Sequence, residues 1–131
     1  MNYDRMNKED YPPVSEDEIF VFGSNIKGIH GRGAALFARR YHGAKLGIGH
    51  GHQDSSYAIP TKATPYIPLG LEEVAEYVGI FVNYTLRHPE LKFYVSAVGC
   101  GNAGFSNKEI APLFKGAVNC RFPEEWEPYL T

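Results

Sequence analysis

The chain lacks the features that mark membrane, secreted and nucleic-acid-binding proteins. No stretch approaches the roughly 18 consecutive apolar residues of a membrane span, and the polar N-terminus contains no apolar signal core. The two cysteines, Cys100 and Cys120, are too few for a disulfide framework, so we expect free thiols in a reducing compartment. The net charge of −2 offers no basic face to a nucleic-acid backbone. We therefore expect a cytoplasmic protein with no membrane or nucleic-acid partner.

What is present is the composition of one globular domain. The 131 residues are 44% hydrophobic and 21% charged, close to the average of globular proteins. A chain of this length buries about two-thirds of its unfolded surface, so it folds without a disulfide or a metal. We predict a flexible N-terminal arm over residues 1–15 and a single domain over residues 16–131.

The hydrophobic pattern alternates between strands and helices. In chain order it predicts a strand over 19–22, a helix over 34–42, a strand over 57–60, a helix over 71–87, a strand over 93–98 and a helix that begins near Ser106 or Ile110. Pro60 is expected to end its strand, the segments 43–56 and 61–70 are expected to be irregular, and the tail 122–131 is expected to be extended chain. This alternation predicts an α/β domain with a mixed, mostly parallel central sheet flanked by helices.

Two glycine-rich loops stand at equivalent places, each after a buried strand and before a helix. They cover residues 23–33 and 99–105. In open α/β sheets, ligands bind at the carboxyl ends of the strands. Glycines there let the backbone approach a ligand, and the free amides of the next helix bind anions. The two loops therefore predict a site for two phosphates, and the alternative is that each is only a tight turn.

Both loops also carry a resemblance to a known family. Residues 21–25 (Val-Phe-Gly-Ser-Asn) and 31–35 (Gly-Arg-Gly-Ala-Ala) resemble the first signature of macro domains, and residues 98–105 (Val-Gly-Cys-Gly-Asn-Ala-Gly-Phe) resemble the second. The whole chain is similar to a group of short phage and prophage macro-like proteins. The resemblance implies a three-layer macro-like domain that binds ADP-ribose or a related NAD-derived nucleotide and needs no further cofactor.

The resemblance also implies which residues contact the nucleotide. Asn25 is expected to face the ribose nearest the reacting end, and Phe105 is expected to pack against that ribose. Asp17 is a candidate for recognising the adenine. The implied ligand-binding residues are Gly23, Ser24, Asn25, Gly31, Arg32, Gly33, Ala34, Gly99, Cys100, Gly101, Asn102, Ala103, Gly104 and Phe105.

Whether such a pocket also hydrolyses an ADP-ribosyl bond is left open by the sequence. Hydrolytic macro domains often carry an acid near the position of Ala35, and another branch uses a lysine together with an aspartate near the second loop. Here Asn102 stands where that aspartate is wanted, and Lys62 is a loose equivalent of the lysine. In an enzyme, Asn25 would position a water and His30 or Lys62 would move protons. The alternative is a binder that sequesters a cyclic ADP-ribose-type signal.

The histidines raise a third hypothesis. His50 and His52 would lie on one side of an extended segment, where His30 or His42 could join them, and three histidines are typical of a catalytic zinc site. The alternative is a polar lid whose histidines hydrogen-bond phosphate or solvent. We favour the lid and expect no metal. Cys100 fits either a cysteine–histidine nucleophile or, as we favour, a small buried side chain.

Overall fold

The computed structural model describes residues 14–101 and 103–131, so all but the last two residues of the predicted arm lie outside it. The strands are β1 (Glu18–Asn25), β2 (Gly51–Gln53), β3 (Ser56–Thr64), β4 (Ile67–Pro68), β5 (Lys92–Val95) and β6 (Cys120–Arg121). The helices are α1 (Gly33–Tyr41), α2 (Leu71–Arg87), α3 (Asn107–Ile110) and α4 (Glu127–Leu130), with 3-10 helices at Ala111–Phe114 and Glu124–Trp126.

Within the described residues, the strands form one mixed sheet in the order β2-β3-β1-β5-β6, with β4 beside β3. The pairs β1–β3, β1–β5 and β5–β6 are parallel, whereas β2 and β4 pair antiparallel with β3. The predicted α/β class, with a mostly parallel sheet flanked by helices, is confirmed. The carboxyl ends of β3, β1 and β5 therefore open at the same edge of the sheet.

Helices cover both faces of β1 because this strand is apolar at every position from 19 to 22. On one face Val21 packs in a cluster with Val78 and Phe81 of α2. On the other face Phe20 meets Phe37 of α1 edge to face, with the ring centroids 5.0 Å apart. Burial on both faces makes β1 the central strand, and this fixes where the first glycine loop begins.

The helix boundaries agree with their sequence signals. α2 covers residues 71–87 as predicted, and the Glu73 carboxylate accepts a hydrogen bond from the amide of Gly70 at 3.3 Å. Ser106 caps α3 because its hydroxyl accepts from the amide of Glu109 at 3.1 Å. Pro112 then lies in a separate 3-10 turn, which avoids the hydrogen bond that a proline would remove from a longer helix.

The predictions for the middle of the chain are wrong in three places. β3 continues through Pro60 to Thr64, because β2 pairs only with 56–58 and β4 begins its pairing at Lys62. On the edge of β3 that faces away from β1, no described strand lies opposite Pro60. The proline's lack of an amide hydrogen therefore removes no hydrogen bond from the sheet. Both segments predicted as irregular contain strands, because β2 lies in 43–56 and the end of β3 and all of β4 lie in 61–70. The strand expected over 93–98 ends at Val95.

The prediction of an extended C-terminal tail is also wrong. Residues 124–130 are helical, and the Trp126 side chain is fully buried. Its indole nitrogen donates to Oδ1 of Asn107 at 2.9 Å, and its ring lies 5.2 Å from that of Phe114. The apolar surface of one indole therefore folds the tail back onto the domain, which the flanking prolines had obscured.

A partly buried ion pair joins the start of β1 to β6. The Glu18 side chain is 7% exposed and accepts bonds from Nε and Nη2 of Arg121, each 2.7 Å long. The Arg121 guanidinium also lies 4.6 Å from the centre of the Tyr94 ring. Hydrogen bonds from Arg121 hold the pKa of Glu18 below its usual 4.5, although burial opposes this shift.

We expect Arg121→Gln to lower the free energy of unfolding at neutral pH by about 1–2 kcal/mol, a value kept small because solvent screens the half-exposed guanidinium. A depressed carboxyl pKa stabilises the fold above the unfolded-state pKa and ceases to do so as the pH falls through the folded-state value. The difference from wild type should therefore shrink below pH 4.5. Urea unfolding of both proteins between neutral pH and a pH below 4.5 measures this difference. An equal loss of unfolding free energy at acidic and neutral pH would contradict the role given to the Glu18–Arg121 pair.

Candidate functional site

A cavity of about 520 Å³ opens where the carboxyl ends of β3, β1 and β5 meet the start of α1. This volume lies within the range of about 300–1,000 Å³ that small-molecule sites occupy. The lining residues are Gly23, Ser24, Asn25, Ile29, Gly31, Arg32, Gly33, Ala34, Ala35, Thr61, Lys62, Pro65, Tyr66, Ser96, Ala97, Gly99, Cys100, Gly101 and Ala103. Both predicted glycine loops therefore border one cavity.

The first glycine loop is held by the side chain of Asn25. Its Nδ2 donates to the carbonyl of Ile29 at 2.9 Å, and its Oδ1 accepts from the amide of Ile29 at 3.1 Å. The Ser24 hydroxyl donates to the carbonyl of Gly49, which fastens the 44–49 segment to the end of β1. Asn25 lines the cavity, but both polar atoms of its amide are engaged in closing the loop.

The N-terminus of α1 leaves hydrogen-bond donors available to the cavity. Arg32 occupies the N-cap position without a capping bond from its side chain, and the first turn contains no acid. Among the described residues, no acceptor is bonded to the backbone amides of Gly33, Ala34 or Ala35. Such amides, together with the helix dipole, favour an anion at this end of α1.

The charged groups of the lining carry a single sign. Arg32 and Lys62 contribute positive charge, and no carboxylate of the described residues lines the cavity. The Lys62 ammonium donates to the carbonyl of Pro65 at 3.3 Å. Burial lowers the pKa of Lys62, and the neighbouring charge of Arg32 lowers it further. The negative charge of a bound anion would favour the protonated ammonium and so oppose both effects, and the electrostatics of this cavity therefore favour a negatively charged ligand.

The second glycine loop presents its backbone to the cavity and its one large side chain to the core. Gly99 has φ of +75°, and an added Cβ would stand 3.3 Å from both Phe105 Cδ2 and Ile110 Cδ1. The amide of Phe105 donates back to the carbonyl of Gly99 at 2.9 Å. Phe105 therefore packs behind the loop, outside the cavity lining.

Cys100 lines the cavity as a thiol rather than a thiolate. Its Sγ lies 3.5 Å from the carbonyl of Val98, and burial raises its pKa to about 11. At neutral pH the protonated thiol is a weak nucleophile. This environment favours the predicted structural role of Cys100 over a cysteine–histidine nucleophile.

The structure brings most of the predicted ligand-binding residues to the cavity. Those in the lining are Gly23, Ser24, Asn25, Gly31, Arg32, Gly33, Ala34, Gly99, Cys100, Gly101 and Ala103, together with Lys62. Gly104 and Phe105 lie outside the lining, and Asn102 lies outside the described residues. Thr61, Tyr66 and Ser96 line the cavity but were not predicted from the sequence. The available signal was position, because Thr61 lies in the last part of β3 and Ser96 directly follows β5.

Two predicted contacts lie elsewhere. His30 is fully buried and outside the lining, with Nε2 3.0 Å from the carbonyl of Lys45 and its ring against Phe22. Burial lowers the pKa of His30, so the ring stays neutral in the core and has no access to a ligand as a proton donor. Asp17 precedes β1, at the opposite end of that strand from the cavity, and pairs with Lys92 at 3.2 Å.

The histidines of the 50–52 segment do not converge on a metal site. His52 Nδ1 lies 2.5 Å from the hydroxyl of Tyr84, and the His50 ring lies 5.0 Å from that of Tyr77. Within residues 14–101 and 103–131, no group of three histidine, cysteine or acidic side chains is placed to hold a metal ion. Neither histidine lines the cavity, so the structure does not place this segment over the cavity as the predicted lid would require.

Comparison of the chain with protein-family models, curated protein sequences and solved structures found no match. None of the helices in the described part of the chain is long and apolar enough to cross a membrane. The function must therefore be argued from the cavity itself.

Proposed function

We propose that the protein is a three-layer domain of macro type whose cavity binds the diphosphate of ADP-ribose or a related NAD-derived nucleotide. The observation that carries this proposal is the charge of the site. Arg32 and Lys62 line the cavity at the start of α1, where the first amides have no acceptor among the described residues, and no described carboxylate is part of the lining. A ligand with two phosphates would place negative charge beside both cations and accept hydrogen bonds from amides that have no acceptor among the described residues.

Two glycines support close approach of a ligand from both loops. At Gly31 and Gly101 an added Cβ would meet no atom within 4 Å, and neither residue has a left-handed backbone. The fold itself therefore does not require glycine at either position. Both residues line the cavity, so access for a ligand is the physical reason for their missing side chains.

The chemistry of the lining favours binding over hydrolysis. The described lining contains no carboxylate, the Cys100 thiol is protonated, and the amide of Asn25 is engaged within its own loop. Lys62, with its lowered pKa, is the remaining group suited to proton transfer. Sequestration of an ADP-ribose-type signal is therefore the favoured activity, and hydrolysis of an ADP-ribosyl bond is a second candidate that depends on Lys62.

Calorimetric titration with ADP-ribose tests the proposal. We expect a Kd in the micromolar range or tighter, about −8 kcal/mol or better, and chromatography of the denatured complex should recover the ligand unchanged. Recovery of a cleaved ligand would select the hydrolase instead. Absence of binding to ADP-ribose, to its cyclic forms and to NAD⁺ would overturn the proposal.

A large side chain at either cavity glycine should weaken ligand binding without destabilising the fold. We expect Gly31→Leu and Gly101→Leu each to raise the Kd for ADP-ribose by at least about 30-fold, because the new side chain would occupy the space of the diphosphate. Gly79→Leu is the matched control, since it adds the same side chain at an uncrowded glycine of α2 outside the lining. Thermal unfolding and calorimetry together measure the effect, and unchanged affinity in both cavity variants would place the ligand elsewhere.

Binding should also depend on the protonation of Lys62. The charged ammonium attracts the anion, so affinity should fall as the pH rises through the pKa of Lys62, which lies below the usual 10.5. Titrations between about pH 7 and about pH 10 would follow this loss. Lys62→Arg keeps the charge over the whole range and should remove most of the pH dependence. A profile identical in wild type and variant would show that another group titrates.

A further inference from the structure

One aromatic side chain at the cavity is not explained by the fold or by anion binding. Tyr66 lines the mouth of the cavity, yet 89% of its surface is exposed. An aromatic ring left in water contributes little to the stability of the domain, because the free energy gained from an apolar group scales with the area that is buried. The exposed ring is therefore available to a ligand that enters beside it.

The turn that carries Tyr66 is well defined by hydrogen bonds. The Tyr66 amide donates to the hydroxyl of Thr64 at 3.2 Å, and Lys62 holds the carbonyl of Pro65. On the far side of the turn, Ile67 pairs with Thr64 in the β3–β4 ladder. Such a turn fixes the backbone from which the ring projects, so a ligand that binds there has only the side chain of Tyr66 to order.

Apolar and cationic groups share the lining of the cavity. Ile29, which is 44% exposed, and Tyr66 both belong to the lining, and Lys62 lies on the same hairpin as Tyr66. A ligand that satisfies all of these groups combines an anion with a planar apolar ring. Nucleotides have this combination, whereas inorganic diphosphate and sugar phosphates lack the ring.

We propose that the Tyr66 ring is the platform on which a heteroaromatic ring of the nucleotide stacks, so that Tyr66 determines the selectivity of the site for nucleotides over ring-free phosphates. This inference rests on the proposed function. The ring can belong to either end of a dinucleotide, and the two ends can be separated by experiment. ADP-ribose carries only adenine, whereas NAD⁺ also carries nicotinamide.

The test compares pyrophosphate, ADP-ribose and NAD⁺ with wild type, Tyr66→Ala and Tyr66→Phe. We expect Tyr66→Ala to raise the Kd of a ring-bearing ligand by about 5- to 100-fold and to leave that of pyrophosphate unchanged. Tyr66→Phe should bind as wild type does. Base protons of the bound ligand should shift upfield in NMR spectra with tyrosine or phenylalanine, and this shift should vanish with alanine. Because the ring is exposed, each variant should unfold at the wild-type temperature.

Ile80→Ala is the control, since this residue is 49% exposed on α2 and lies outside the lining. If Tyr66→Ala loses affinity for ADP-ribose, the ring that stacks is adenine. If it loses affinity for NAD⁺ alone, the ring is nicotinamide. Wild-type affinity of Tyr66→Ala for both nucleotides would overturn the inference while leaving the diphosphate site intact. Equal weakening of pyrophosphate would overturn it too, because the effect would then come from the hairpin. Failure of wild type to bind either nucleotide would overturn the inference about Tyr66, and the proposed function would fall with it only if the cyclic forms of ADP-ribose also failed to bind.

Discussion

Replacing the two cavity cations, by Arg32→Glu together with Lys62→Gln, should raise the Kd for ADP-ribose by about 1,000-fold. Each charge-assisted hydrogen bond to a phosphate contributes about 1.5–3 kcal/mol, and the new carboxylate adds repulsion. The chain carries a net charge of −2, so its overall charge adds no attraction for an anion. Calorimetry at constant ionic strength measures the change in Kd.

The control must change the net charge equally without entering the cavity. Arg87→Glu with Lys115→Gln does so, because Arg87 lies in the last turn of α2, Lys115 follows the 3-10 helix, and neither lines the cavity. We expect this variant to bind almost as wild type does. If it lost as much affinity as the cavity variant, the long-range field of the protein would explain the effect. Wild-type affinity of the cavity variant would place the phosphates elsewhere.

A site of this kind uses fixed backbone dipoles in addition to its charged side chains. The amides at the start of α1 are fixed by the helix, and the second loop adds Gly99, Cys100, Gly101 and Ala103 to the same lining. Fixed dipoles need no reorganisation when an anion binds, and they keep their charge at every pH. The proposed binding of a diphosphate therefore does not require a basic net charge, and between about pH 7 and about pH 10 we expect its pH dependence to follow Lys62.

The sequence predicted those parts of the fold in which a local pattern and the tertiary environment agree. α2 could be located because its apolar residues repeat at helical spacing, and β1 because a continuous apolar run requires burial on both faces. The course of β3 was not predictable in this way. Whether Pro60 ends a strand depends on which neighbours lie beside it, and no local pattern reports that.

The same limit explains what was right and wrong about the site. The glycine loops were identified because they follow strands whose ends meet at one edge. With β3 expected to stop at Pro60, nothing indicated that Tyr66 would stand on a hairpin at the cavity mouth. His30 was misplaced because proximity in sequence does not fix direction. Its neighbours Ile29 and Gly31 line the cavity, while the His30 ring between them points into the core.

Gly49→Ala should destabilise the domain more than any cavity variant. An added Cβ would stand only 2.0 Å from the carbonyl oxygen of Asn25, a backbone atom that cannot move alone. The segment that Ser24 fastens through the Gly49 carbonyl must then be displaced. We expect a loss of about 3 kcal/mol and a melting temperature lower by about 10 °C. Differential scanning calorimetry and urea unfolding measure both.

Gly31→Ala is the matched control, because a methyl group there meets no atom within 4 Å and the backbone is not left-handed. Gly31→Ala should be as stable as wild type. If Gly49→Ala were also as stable as wild type, the backbone of Gly49 would not approach Asn25 closely. Gly49 lies outside the cavity lining. Its substitution should nevertheless lower the affinity for ADP-ribose, because the added methyl group displaces the loop that Asn25 closes. Loss of affinity together with stability at Gly49, against loss of affinity alone in Gly31→Leu, separates residues that build the site from those that face the ligand.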